Sequence, residues 1–158
     1  MLKITKSKDK LSVPVDFSSE EKSLYTMKKM LRFVQRNGHG WLGLASNQVG
    51  LDGRVIVAKL GGKWVGFINP QLTGLSKSKN LSLESCLSVP NKEVVVERHF
   101  CVTIISWNQD SMKLTGQDAF VVQHEIDHLD GVLMTDRKLK DNLFVNDMVE
   151  RSQNEHSN

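Results

Sequence analysis

Hydrophobic residues recur at helical spacing soon after an irregular segment that covers residues 1–17, in which Pro14 marks extended chain. Ser18 and Glu21 form a capping-box pattern, and Asn37-Gly38 is typical of a helix end. The pattern predicts an amphipathic helix over residues 19–37 that packs against a sheet. Its apolar face would consist of four residues spaced three or four apart, namely Leu24, Met27, Leu31 and Val34.

Shorter runs with the composition of β-strands occupy the middle of the chain. Gly61-Gly62 between the first two runs predicts a tight hairpin turn, and Pro90 ends the third run. The polar residues 73–80 predict a loop, and residues 108–111 predict a turn. The predicted strands are residues 54–59, 63–68, 81–90, 94–97, 100–107 and 112–115.

A second helix is predicted to begin near Thr115, where Thr115-x-x-Asp118 is a cap signature, and to end near Leu129, before Asp130-Gly131. One face of this helix combines apolar and imidazole side chains, so the histidines face the core side. The residues on that face are Phe120, Val121, His124 and His128.

The composition is that of a globular protein, with 39% hydrophobic and 25% charged residues. We expect a single domain over residues 1–158, with residues 152–158 as a frayed tail. The net charge of +3 is small, and no Lys/Arg stripe with interleaved aromatic residues indicates nucleic-acid binding. Two cysteines, no secretory segment and no membrane span favour the cytoplasm.

The strongest chemical signal is the stretch Gln123-His124-Glu125-Ile126-Asp127-His128. Histidines four residues apart on a helix can bind one metal ion together, and Glu125 between them can transfer protons. The alternative is a pair of core histidines, which is disfavoured because unpaired buried imidazoles are costly. A metal site needs a further ligand, which this stretch does not supply.

Two other stretches carry weaker signals. Residues 40–50 are rich in small residues around Gln48, whose amide could donate to an oxyanion, although a glycine-rich turn explains the same pattern. Cys86 lies where a strand ends and could project its sulfur out of the sheet, or it could be a small buried side chain. For Cys101, inside a predicted strand, we expect the buried structural role.

Three stretches in this order resemble the motifs of the peptide deformylase family. The family's glycine-hydrophobic-glycine-hydrophobic-Ala-Ala-x-Gln motif is similar to residues 41–48, and its Glu-Gly-Cys-Leu-Ser motif is similar to residues 84–88. Its Gln-His-Glu-x-Asp-His motif matches residues 123–128 without change. The resemblance spans roughly residues 18–135, and it departs from the family pattern at Trp41, Ser46 and Ser85.

The resemblance implies that Cys86 is the third metal ligand, with His124 and His128. A thiolate and two imidazoles leave one coordination position for water, as in catalytic sites. The implied reaction is hydrolysis of the formyl group of N-formyl-methionine, with water activated at the metal and Glu125 as general acid/base. The side chain of Gln48 and the backbone N–H of Leu87 would receive the developing oxyanion.

The resemblance also implies where the peptide binds. Phe120 and Val121 would form a wall of the pocket for the methionine side chain. Gly43 and the neighbouring backbone at Leu42 would pair with the peptide as an added strand. Trp41 and Ser85 would flank the groove, so these departures from the family pattern are expected to alter substrate preference.

The implied cofactor is one divalent metal ion, Fe(II) in the cell, with zinc, nickel or cobalt able to replace it. The implied substrates are formyl-methionyl nascent polypeptides. The segment Lys140–Arg151 allows at most three helical turns, whereas many bacterial members have a longer terminal helix thought to dock on the ribosome, so any ribosome association is expected to be weak. Such a compact form would suit a phage-encoded copy.

An ion pair between Glu84 and Arg98 is also predicted, which would fix the strand that presents Cys86; two ordinary surface charges are the alternative. Two other functions remain open, a zinc metallopeptidase and a catalytically silent peptide-binding relative. The predicted fold is α+β. It consists of mixed, mainly antiparallel strands around a central C-terminal metal-binding helix, with an N-terminal helix packed outside.

Overall fold

The computed structural model describes residues 2–6, 16 and 18–139. The extended segment predicted around Pro14, the short helix expected within Lys140–Arg151 and the tail predicted over 152–158 lie outside these residues. Within the described part of the chain, no helix is long and apolar enough to cross a membrane.

Helix α1 spans Glu20–Asn37 and confirms the first predicted helix. The residue that caps it is Ser19 and not Ser18, because the Ser19 side chain accepts a hydrogen bond from the backbone N–H of Lys22. Ser18 instead shares a hydrogen bond of 2.6 Å with Ser23. The N-cap residue therefore lies one position later than predicted, and the predicted capping box of Ser18 and Glu21 is wrong.

In the described part of the chain, eight strands form three antiparallel groups, which confirms the mainly antiparallel α+β fold. The first sheet has the order β1-β2-β3, the second has β4-β7-β8, and β5 and β6 form a separate hairpin. The strands are β1 (Gly43–Ala45), β2 (Val55–Leu60), β3 (Lys63–Ile68), β4 (Gln71–Leu75), β5 (Lys79–Cys86), β6 (Val89–His99), β7 (Cys101–Ser106) and β8 (Gln109–Thr115).

The β2–β3 hairpin turns where the sequence predicts it. Leu60 pairs with Lys63, and the two glycines between them have φ values of +52° and +83°. Both values lie in the left-handed region, which glycine adopts without a steric penalty. The prediction of Gly61-Gly62 as a two-residue hairpin turn is confirmed.

The loop predicted over residues 73–80 is wrong, because this region contains the end of β4 and the beginning of β5. Side chains in β4 alternate between exposed and half-buried positions, as expected for a strand at the edge of its sheet. Polar residues on an exposed face conceal the strand period from a sequence pattern.

The β5–β6 hairpin differs in length from the prediction. Strand β5 ends at Cys86, not at Pro90, and β6 is an eleven-residue strand that extends far beyond 94–97. Pro90 is the second residue of β6, close to the hairpin turn, where its missing N–H is tolerated. Cys101 was expected to be buried but is only half-buried, because it begins β7 at the end of its sheet.

Helix α2 spans Gly116–Leu129 and carries both candidate histidines. Thr115 is its N-cap residue, as predicted, but makes no side-chain capping bond. The carboxylate of Asp118 instead accepts from the backbone N–H of Gly61 at 3.3 Å, so it ties the helix to the β2–β3 turn.

Helices α1 and α2 cover opposite faces of the first sheet, and successive side chains of β2 point to the two faces in turn. Val55 and Val57 pack with Met30 and Val34 of α1. The intervening residues of β2 and β3 pack on the other side, against α2. This second group includes Ile56, Ala58, Phe67, Val122, Ile126 and Leu129. Strand β2 is apolar except for Lys59 because both its faces are covered, and α2 is thereby held between the first sheet and the rest of the molecule.

Candidate metal centre

Cys86, His124 and His128 meet in the interior, with one possible ligand atom from each lying within 4.8 Å of the others. The Sγ atom of Cys86 is 3.2 Å from Nε2 of His128. The two imidazole rings pack edge to face with centroids 4.9 Å apart. These residues therefore converge as three metal ligands would.

The local fold explains why Cys86 faces the helix. Ser82, Glu84 and Cys86 are the buried positions of β5, whereas Ser85 between them is exposed. This alternation follows from the two-residue period of a strand. The register of the hairpin shifts between Ser85 and Cys86, so the strand bends where the cysteine is presented.

His124 is oriented by a carboxylate behind it. Its Nδ1 atom donates to Oε2 of Glu84 at 2.9 Å, which leaves Nε2 to face the cluster. Metal-binding histidines usually have such a partner, because it fixes both the tautomer and the ring direction.

Glu84 is in turn held by Arg98 in the predicted ion pair, which is present and buried. The guanidinium donates from Nε to Oε1 at 2.7 Å and from Nη2 to Oε2 at 2.9 Å. Burial alone would raise the pKa of Glu84, but hydrogen bonds and charges from Arg98 and His124 outweigh it and lower the pKa to about 2. Glu84 is therefore a permanent anion beneath His124.

Two further charges extend this network and were not predicted. Asp127 accepts from Nη1 of Arg98 at 2.5 Å and from Arg137, whose Nε and Nη2 atoms lie 2.5 and 2.6 Å from the carboxylate. Asp127 stands within the metal-helix motif, but the sequence pattern does not indicate its partners, because the fold brings them together from distant positions.

The two imidazoles have opposite electrostatic environments. Desolvation would lower the pKa of His124, but its hydrogen bonds to Cys86 and Glu84 and the nearby carboxylates raise that pKa to about 10. Burial and the charges of His124 and Arg98 lower the pKa of His128 to about 3, so the test of whether a metal fits is the chemistry of the donor set. With a thiolate and two imidazoles as donors, the residues fit zinc or Fe(II).

Glu125 lies beside this cluster, and the environment of its carboxylate is unusual. Its side chain is buried, and Oε2 has no hydrogen-bond partner among the described residues. Burial raises its pKa to about 7, although the charge of His124 opposes the shift. A carboxyl group with that pKa can both accept and return a proton near neutral pH.

Gln48 contacts the cluster through its side-chain amide. Its Oε1 atom accepts from the backbone N–H of Ala45 at 2.8 Å, which orients the amide. Nε2 donates to Ser88 at 3.2 Å and lies 3.6 Å from the sulfur of Cys86. The N-terminal segment adds a backbone bond from Thr5 to the carbonyl of Gln48, at 2.7 Å.

A cavity of about 370 Å³ opens over these residues. It is lined by every predicted site residue except His128, and their individual roles remain predictions. The predicted residues that line it are Trp41, Leu42, Gly43, Gln48, Ser85, Cys86, Leu87, Phe120, Val121, His124 and Glu125.

The cavity also includes residues that the sequence reasoning missed. Val89, Pro90 and Lys92 line it from the start of β6, and Gln117 lines it from the first turn of α2. Gln117 lies seven residues before His124, so helical spacing could have placed it on the same face.

Trp41 has a second environment besides the cavity. Its ring packs against Phe33 of α1, with centroids 5.9 Å apart. The tryptophan therefore joins the beginning of the cavity wall to helix α1. The sequence pattern does not predict this contact between Trp41 and Phe33.

A thiolate and two imidazoles converging beside a buried, unpaired carboxylate, at the base of an open cavity, define a metal-dependent hydrolase. Comparison with known proteins gives the family. The model of the polypeptide deformylase family matches residues 4–143, and the chain belongs to that family.

Individual relatives agree with this assignment. A peptide deformylase of Desulforudis audaxviator is 40% identical over 103 residues, which are 62% of this chain and 67% of that protein. One of Finegoldia magna is 40% identical over 121 residues, which are 72% of each protein.

Solved structures show the same fold. The peptide deformylase of Thermotoga maritima superposes with a TM-score of 0.77 at 29% identity, covering 89% of this chain and 99% of that one. A probable peptide deformylase from Synechococcus phage S-SSM7 gives 0.77 at 31% identity, with 87% and 99% covered.

Proposed function

We propose that this protein removes the formyl group from the N-terminal formyl-methionine of newly made polypeptides and releases formate. The observation that carries the proposal is the convergence of Cys86, His124 and His128 beside Glu125, in a chain of the deformylase family. Its place of action would be the cytoplasm, where such polypeptides are made.

The ligands would be Sγ of Cys86 and the Nε2 atoms of His124 and His128. We propose Fe(II) as the ion in the cell, with zinc, nickel or cobalt as replacements, because this donor set accepts all four. When bound, the ion lowers the pKa of a water molecule and polarises the formyl carbonyl group.

Glu125 would act as the proton carrier. Its carboxylate takes a proton from the attacking water and then delivers one to the leaving amine. Burial raises the pKa of Glu125 above the ordinary value of a carboxyl group, and proton transfer is most efficient when the pKa of the group lies near the working pH.

Gln48 and the backbone N–H of Leu87 would stabilise the charge that develops on the formyl oxygen. The amide of Gln48 is already oriented by Ala45 and needs no large rearrangement to donate. Preorganised donors of this kind supply much of the catalysis in acyl transfer.

Gln48→Glu is expected to reduce kcat/KM for a formyl peptide at least ~100-fold, because it removes the donor while retaining the oxygen that Ala45 holds. Ser88→Ala is the matched control, since it removes the other partner of Nε2 and leaves the amide in place. If both variants retain wild-type activity at equal metal content, Gln48 has no part in the reaction.

The peptide would lie between the β1 edge and the end of β5. Strand β1 pairs with β2 along only one edge, and Leu42 and Gly43 border the cavity. A peptide added there gains backbone hydrogen bonds, with Ser85 on the opposite side. Phe120 and Val121 would contact the methionine side chain, and Trp41 and Ser85 would affect the preference for the residues that follow.

The decisive experiment measures formate released from formyl-Met-Ala-Ser by the metal-loaded protein, with free Met-Ala-Ser and a longer unformylated peptide as controls. We expect formate from the first peptide and no internal cleavage of the others. Cleavage of an unformylated peptide would instead identify a metallopeptidase. A protein that holds one ion per chain, binds the formyl peptide and yields no formate would be a silent binding relative.

The ion pair behind His124 leads to a separate prediction. Arg98→Ala is expected to weaken metal affinity by about 10- to 100-fold, because Glu84 would lose the partner that holds it against Nδ1 of His124. The measurement is metal content after dialysis against a weak chelator. Lys79→Ala, which removes an exposed ion pair with Glu97, is the control. Equal retention in Arg98→Ala and the control would exclude this role.

A further inference from the structure

The two histidines of the metal centre differ in how their second ring nitrogen is satisfied. Nδ1 of His124 has Glu84 as its partner. Nδ1 of His128 is buried and has no hydrogen-bond partner among the described residues, in a side chain that is only 1% exposed. A buried ring N–H without a partner is rare in folded proteins, so this atom calls for an explanation.

The tautomer of His128 follows from its neighbours. Its Nε2 atom lies 3.2 Å from the sulfur of Cys86 and is therefore the nitrogen that faces the cluster. A neutral imidazole whose Nε2 is used as a ligand carries its proton on Nδ1. The orphan atom is thus a donor, and the missing partner must be an acceptor.

Asn47 supplies an unused acceptor on a residue in direct contact with His128. Its Nδ2 atom donates to the backbone carbonyl of His128 at 2.6 Å. Because a carbonyl can only accept, this bond fixes which end of the amide is nitrogen. The other end, Oδ1, is buried and has no partner among the described residues.

One donor and one acceptor are therefore unpaired on two residues that touch each other. We propose that a single buried water joins them, accepting from Nδ1 of His128 and donating to Oδ1 of Asn47, and that Asn47 thereby orients His128 for metal binding. Buried waters typically occupy such polar gaps with two to four partners. Asn47 is a positioning residue, since it acts through the histidine and does not touch the reacting atoms.

This arrangement would also link the two sides of the active site. Asn47 directly precedes Gln48 in the short 3-10 helix Ser46–Val49. The same turn of chain would then position a ligand histidine through residue 47 and the oxyanion donor through residue 48. The inference rests on the proposed metal centre, so its test must separate the two.

The test compares zinc release to a chelator from the wild-type protein and from Asn47→Leu, which has a similar size but no acceptor or donor. We expect release about 10- to 100-fold faster from the variant, as for other changes behind metal ligands. Asn108→Leu is the matched control, because Asn108 is also a half-buried amide bonded to backbone atoms, those of Gly66 and Ile68. This control is expected to release zinc at the wild-type rate.

A measurement on the wild-type protein complements the variants and does not depend on their folding. A high-resolution crystal structure of the zinc-loaded protein is expected to show one water within about 3 Å of both atoms. The inference would be overturned if the crystal structure showed a protein acceptor bonded to Nδ1 of His128, or no water at that atom. It would also be overturned if Asn47→Leu released zinc at the wild-type rate. Failure of the wild-type protein to bind zinc would overturn both this inference and the proposed metal centre. If the wild-type protein and Asn47→Leu both bind and release zinc in the same way, the inference is overturned but the proposed metal centre is not.

Discussion

Replacing Glu125 with glutamine is expected to slow formate release about 1,000-fold, within the range that general acid–base groups contribute. The amide has nearly the shape of the carboxylate but cannot take a proton from water. The structure separates this loss from an effect on metal binding, because Glu125 is outside the group formed by Cys86, His124 and His128. Metal content, measured in the same preparation, should equal that of the wild type.

The same variant should not unfold at a lower temperature than the wild type. Glu125 is buried and Oε2 lacks a partner, so an uncharged amide is at least as easy to accommodate. Asp118→Asn is a suitable control, as it changes a carboxylate on the same helix away from the ligands. Undiminished formate release by a fully metal-loaded Glu125→Gln protein would refute the proposed proton transfer.

Gly43→Ala is expected to cause nearly as large a loss of activity, although it removes no functional group. A β-carbon at position 43 would overlap Oε1 of Glu125 and would lie 2.7 Å from its Cγ and Cδ atoms. Strand β1 and the carboxylate cannot both keep their places. Displacing a reacting group by about 1 Å can cost about 100-fold in rate.

Gly66→Ala provides the matched comparison. Its added carbon would lie 2.6 Å from Cγ and Sδ of Met27, which is also a steric overlap, but with a flexible side chain outside the group of metal ligands. Both variants should lose some stability, since overpacking typically costs about 1–3 kcal/mol. Only Gly43→Ala should lose formate release per folded molecule. Similar specific activities for the two variants would show that Gly43 serves packing alone.

Strong local periodicity explains which parts of the fold could be predicted. Helix α1 and the β2–β3 hairpin were predicted because apolar residues repeat at the helix period and a Gly-Gly pair separates two strand-like runs. The sequence pattern does not predict strand β4, because Leu75 is exposed together with Gln71 and Thr73, so apolar and polar residues do not alternate at the strand period. The sequence pattern ends a strand at Pro90, whereas in the structure Pro90 lies near a hairpin turn, where a proline is tolerated.

The candidate site was predictable to the extent that its parts lie within short motifs. The spacing of His124 and His128 on a helix required no further information. Cys86 and Gln48 were identified through the family resemblance, because their approach to the helix depends on how the β5–β6 hairpin and β1 pack. The contact of Asp127 with Arg98 and Arg137 has no local signature, since the three residues are brought together only by the tertiary fold.

The origin of the three ligands in different parts of the chain has a consequence for folding. Cys86 is the last residue of β5, beside the turn of the β5–β6 hairpin, whereas His124 and His128 belong to a helix held against another sheet. An ion bound by all three would cross-link these regions in the folded chain. Because the unfolded chain does not hold the three ligands together, the free energy of metal binding would add to the stability of the fold. Unlike a disulfide, this cross-link would open when the ion leaves, so the rigidity of the hairpin would depend on metal supply.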